Sequence, residues 1–199
     1  LARAWRMMRW GMRARRASMR YCRCIRGRGI GRVRYQFFLV PAMELLSNEE
    51  FSLRPTPMRG DEQMPRSEIV LQGIATGKLI DGAVLEAAVK WRGGYLALVT
   101  DDIPQEDTLR IYLFDLSLNL IDSATLGAMY STGSFRDLEL ASPNLLRFRF
   151  IGGTTWTLEL LNRIEFSVPF YSDPKGVRRP LSFARHFRLY GDTAPNLTN

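Results

Sequence analysis

The chain has 199 residues, 28 of them basic and 20 acidic, for a net charge of +8. Such a surplus suggests a nucleic-acid partner, but it is confined to one end: residues 1–42 hold 12 Arg and no Lys, Asp or Glu, leaving 16 basic and 20 acidic residues, net −4, in 43–199. Both cysteines, Cys22 and Cys24, fall in that first stretch and His186 is the single histidine, so 43–199 has no disulfide framework, no cysteine nucleophile and no three-histidine or two-histidine-carboxylate metal centre within one subunit.

Four readings compete for residues 1–42. A mitochondrial presequence matches in charge, but the stretch has one serine, Ser18, and five glycine or proline breaks from Gly11 to Pro41. A twin-arginine or secretory signal has Arg15-Arg16 but lacks its apolar region, since 37–40 is too short. A basic arm around Gly27-Arg28-Gly29 would bind phosphates without sequence preference. The preferred reading is a disordered extension, or one outside the native product. Arginine without lysine, together with Trp5 and Trp10, suits translated G+C-rich DNA better than a selected arm, and Met43 opens an ordinary sequence. Gly27-x-Gly29-x-Gly31 has no strand before it and no helix after it, so it is no dinucleotide fingerprint. The expected organisation is therefore an extension over 1–42, a lead-in over 43–68, a β domain over 69–191 and a flexible end over 192–199.

In the lead-in, Ser47-x-x-Glu50 has the spacing of a capping box for one helical turn, which Pro55 and Pro57 stop. Arg59-Gly60-Asp61 reads as plain loop. From Ile69 the apolar period becomes two. A strand is expected over 69–76. In 84–91, Leu85, Ala87, Val89 and Trp91 share a face; Gly93-Gly94 then signals a hairpin into 95–100. Over 108–114, Leu109, Ile111 and Leu113 alternate with Arg110, Tyr112 and Phe114, which predicts burial on both faces. The strand 120–126 returns across an Asp115–Asn119 turn. Strands over 135–140 and 145–151 flank the turn Ser142-Pro143-Asn144, with Leu146, Phe148 and Phe150 inward and Arg147 and Arg149 outward. Trp156, Leu158 and Leu160 share a face of 155–161, and the last strand is 181–190. The pattern predicts an all-β antiparallel meander of roughly nine or ten strands, forming a sandwich or partly open barrel.

Several places carry chemistry. Asp101, Asp102, Glu106 and Asp107 sit in one loop, but without the spacing or glycine of a calcium-binding loop they read as a solvated acidic connection. Tyr130-Ser131-Thr132-Gly133-Ser134 reads as a hydroxyl-rich loop capping its own turn. Arg147 and Arg149 beside aromatics resemble a miniature nucleic-acid platform, in a body without a basic surplus. The densest polar cluster runs over 171–180 and on to Arg185 and His186. It has the residue types of a triad in Ser172, Asp173 and His186, but Ser172 lies in no nucleophile elbow. The candidate ligand-binding residues are Asp173, Arg178, Arg179, Arg185 and His186, with the arginines suited to a carboxylate or phosphate. No catalytic residue, metal or cofactor is assigned. The expected function is a non-enzymatic, cytoplasmic binding or interaction module for a protein or small molecule, with no membrane partner and with nucleic acid bound only non-specifically through 1–42. The alternative is a small hydrolase or isomerase using Asp173, Arg178 and His186.

Overall fold

The computed structural model describes residues 43–57, 64–102, 108–127, 133–152, 154–168 and 172–191. The arginine-rich stretch, the Arg-Gly-Asp triplet, most of the acidic and hydroxyl-rich loops and the C-terminal end lie outside them. The described chain is all-β, and every strand pairing is antiparallel.

The lead-in is itself strand. β1 (Glu44–Leu45) pairs with β5 (Val84–Trp91), and β2 (Phe51–Pro55) opens a three-stranded sheet with β3 (Arg66–Leu71) and β4 (Ile74–Asp81). Between β1 and β2 comes the expected single turn: Ser47 N–H donates to Glu50 Oε2 at 2.9 Å, and Phe51 N–H to the Ser47 carbonyl at 3.0 Å. The one strand expected over 69–76 is instead a hairpin. Gln72 and Gly73 both have positive φ, 50° and 76°, and that pair of left-handed residues is the two-residue turn that matches strand twist. The next hairpin uses the same device at Arg92 (φ 51°) and Gly93 (φ 90°), one residue earlier than Gly93-Gly94. Gly94 already belongs to β6 (Gly94–Thr100), where an added Cβ would lie 2.4 Å from the Phe114 carbonyl oxygen.

β5 and β6 continue into β7 (Leu109–Asp115), β8 (Leu120–Leu126) and β12 (Val177–Arg178), which gives a six-stranded sheet in the order β1-β5-β6-β7-β8-β12. Asp115 stabilises the β7–β8 turn by accepting from the Ser117 and Asn119 backbone N–H groups, both at 2.8 Å. A four-stranded sheet in the order β13-β11-β10-β9 holds β9 (Arg136–Ala141), β10 (Leu145–Arg149), β11 (Thr155–Phe166) and β13 (Ala184–Tyr190). The turn between β9 and β10 contains a cis Ser142–Pro143 bond.

Two apolar layers hold three sheets. Ala87, Val89, Leu96, Leu98, Leu109, Ile111 and Leu126 of the six-stranded sheet pack against Leu146, Phe148, Trp156, Leu158, Leu160 and Phe187 of the four-stranded sheet. The opposite face of the six-stranded sheet, with Ala88, Ala97, Val99 and Phe114, packs against Phe51, Ile69 and Ile80 of the small sheet. The two-sided bulk of β7 and the inward faces of β10 and β11 are as the alternation implies. Leu85 joins the second layer instead of following Ala87, because the β5–β6 register shifts between them. Among the described residues no helix is long and apolar enough to cross a membrane.

Candidate functional site

The chain leaves the four-stranded sheet at the end of β11, crosses to the six-stranded sheet as β12 beside β8, and returns as β13. Residues 172–183 thus close one flank of the sandwich. The charged cluster stands there.

Asp122 lies on β8 on the face that Ala124 and Leu126 turn to the core, so its carboxylate is buried. It accepts from its neighbour Ser123 N–H at 2.8 Å and, across the flank, from His186 N–H at 2.8 Å. The Arg179 side chain, 2% exposed, reaches Asp122 Oδ1 at 3.2 Å and Asp173 Oδ1 at 2.8 Å. It also donates to the Phe187 carbonyl at 3.1 Å and lies 4.2 Å from the Phe187 ring centroid. Burial holds its guanidinium below the ordinary value, while the two aspartates pull it up. A buried cation is tolerated when each side of it finds an acceptor, and that is the case for Arg179.

Arg185 is served less well. Its side chain is 4% exposed. Nη1 donates to the Ser182 carbonyl at 2.9 Å and the Ala184 carbonyl at 3.3 Å, while the one ionic contact of Arg185 among the described residues, Nη2 to Asp173 Oδ2, is 3.5 Å long. Nε is buried and has no hydrogen-bond partner among the described residues. Asp173 therefore belongs mainly to Arg179.

A cavity of about 410 Å³ adjoins this cluster, which is within the size range of small-molecule sites. Glu165, Phe166 and Ser167 at the end of β11, residues 172–174, Arg185 and residues 187–190 of β13 line it. At its mouth, Arg188 pairs with Glu165, and Tyr190 donates to Glu159 Oε2 at 2.9 Å. Phe166 and Phe183 stack at 5.7 Å and are 77% and 56% exposed, an apolar ledge beside the cavity.

The structure brings Asp173, Arg179 and Arg185 together. Arg178 is exposed on β12, outside the cluster, and His186 enters it through its backbone N–H. Ser172 Oγ donates to the Val168 carbonyl at 3.0 Å, and both Asp173 oxygens accept from arginines, so the three residue types of a triad hold separate partners. Asp122 is the member that sequence reading misses. A polar residue in phase with Ala124 and Leu126 is its only signal in the sequence.

The other candidate places resolve differently. Asp101 is buried and bound by Arg110 through Nε at 2.8 Å and Nη2 at 3.0 Å, which raises the Arg110 pKa. It is thus no part of a solvated loop or a cation site. Arg147 and Arg149 face Glu139 and Asp137 on the neighbouring strand at 3.9 and 3.7 Å, which neutralises the miniature platform.

Fold and flank together define an all-β, three-layer protein with a lateral cavity walled by a buried ion cluster. No family model, no curated protein and no solved structure matches the chain.

Proposed function

We propose that the protein is a non-enzymatic binding module whose ligand is a small molecule held in the cavity between β11, residues 172–174 and β13. The observation that carries this reading is the character of that cavity. It sets an exposed apolar ledge, Phe166 stacked on Phe183, beside a few convergent polar groups, a pairing that suits a small molecule. The ion cluster behind it serves as a brace. Arg179 ties β8, residue 173 and β13 together and so fixes the shape of the back wall.

The reading as a hydrolase or isomerase at Asp173, Arg178 and His186 finds less support. The Asp173 lone pairs are committed to guanidinium donors, Arg178 lies outside the cluster, and His186 contributes a backbone group. General acid–base work needs the groups within reach of one proton.

The test is thermal-shift screening of the full chain against a small-molecule library, repeated on Ser172→Trp. Residue 172 is exposed on the cavity wall, so the indole fills the space without entering the core. Hits that stabilise the parent protein and lose their effect in the variant are expected. An absence of hits, or hits indifferent to the tryptophan, overturns the proposal.

A further inference from the structure

We infer that the ligand carries a single carboxylate on an apolar, ring-sized body, and that Arg185 is the group that receives the carboxylate. The inference rests on the cavity being the binding site.

The argument starts from unequal pairing. Two buried arginines stand beside Asp173. Arg179 has two carboxylates, a backbone carbonyl and an aromatic face. Arg185 has two carbonyls, one long ionic contact and a buried Nε without an acceptor among the described residues. A buried cation that lacks a close counter-ion is held at a cost, and so is a buried donor without an acceptor. One carboxylate entering from the cavity relieves both. Nε is closed to solvent, so the acceptor reaches it once the guanidinium turns away from Asp173. The 3.5 Å contact is the weakest of its interactions and is the one that gives way.

The rest of the lining selects among anions. Glu165 and Asp173 balance Arg185 and Arg188, so the cavity wall has no net charge. Those two carboxylates repel a dianion about twice as strongly as a monoanion, so a single negative charge is the better match to one under-paired guanidinium. Ser167 offers a hydroxyl to a second polar atom, and the exposed Phe166, stacked on Phe183, offers surface to a ring.

The probes are phenylacetate, its neutral isostere phenylacetamide and inorganic phosphate. Each is titrated calorimetrically into the full chain and into its Arg185→Gln, Arg178→Gln and Ser172→Trp variants. Phenylacetate is expected to bind about tenfold or more tighter than phenylacetamide, the discrimination a hydrogen-bonded charge supplies. Phosphate is expected not to compete with it. Arg185→Gln removes the preference, Arg178→Gln, exposed on β12 outside the cavity lining, changes affinity less than about threefold, and Ser172→Trp abolishes binding of both organic probes. Equal affinity for the acid and the amide, lost in Ser172→Trp, refutes the carboxylate assignment and leaves the cavity reading intact. Binding of neither organic probe refutes both. Competition by phosphate at a pH where it is the dianion refutes the choice of a monoanion. Should Arg185→Gln fail to fold, the acid–amide comparison on the parent chain still decides.

Discussion

Arg179→Met removes the cation at the centre of the flank and keeps most of its volume. It leaves Asp122, with a side chain 6% exposed, and Asp173, 13% exposed, without their closest counter-ion. Breaking a buried pair from one side costs about 3–5 kcal/mol. The lower end applies, because Asp122 keeps the Ser123 and His186 N–H groups and Asp173 keeps Arg185. For a protein of this size, about 3 kcal/mol lowers the melting temperature by about 6–12 °C. Arg179→Lys keeps the charge and loses the fork that spans Asp122, Asp173 and the Phe187 carbonyl, so it should cost about half as much. Thermal melts followed by circular dichroism on the full chain, at pH 7 and fixed salt, measure both. A shift under about 2 °C for Arg179→Met, or equal shifts for both variants, would refute the view that this ion cluster braces the flank.

Three further predictions follow from other places in the fold. Gly94→Ala puts a Cβ against the Phe114 carbonyl, where backbone must move, and should cost about 1–3 kcal/mol in denaturant unfolding; a neutral result contradicts the close approach of β6 and β7. The Glu68 carboxyl is held below its ordinary range by a hydrogen bond from Arg54 and another from the Gly77 N–H. A carboxyl depressed on folding adds stability above its unfolded pKa and loses it as pH falls through its folded pKa, so Glu68→Gln should shrink the drop in melting temperature between pH 7 and pH 3. An unchanged drop would remove Glu68 from the acid response. Phe166→Ala deletes a ring that is 77% exposed, so stability should hold within about 0.5 kcal/mol while phenylacetate binding weakens; a large destabilisation would mean the ledge is structural.

Much of the architecture is legible from alternation alone. β5 and β8 begin and end where the period-two pattern does, and the inward residues of β10 and β11 are those that the pattern names. The misreadings have particular causes. Gln72 gives no turn signal, yet beside Gly73 it takes a left-handed conformation, so two strands look like one. β2 has only one apolar pair, Phe51 and Leu53, before Pro55, and a single alternation is too short to establish a period. The third layer becomes visible only when Phe51, Ile69 and Ile80 meet the second face of the central sheet.

The candidate site was half legible. Asp173, Arg179 and Arg185 crowd one stretch of chain and stand out by density. Asp122 lies more than fifty residues away and looks like any polar strand residue. It comes to the cluster through the pairing of β12 with β8, which no local pattern encodes. Arg178 and His186 stand out only as neighbours in sequence. On a strand, alternate residues point to opposite faces, and Arg185 and Phe187 take the buried positions that leave the His186 side chain half-exposed.

The most direct test is the amide NMR spectrum of the uniformly ¹⁵N-labelled full chain, recorded with and without phenylacetate. Shifts should concentrate at residues 165–167, 172–173 and 185–190, with the Arg185 Nε–H signal moving furthest among the side chains. Shifts centred on the exposed face of the three-stranded sheet, around Ile74 and Leu79, or no saturable shift at all, would contradict the assignment of ligand binding to this flank.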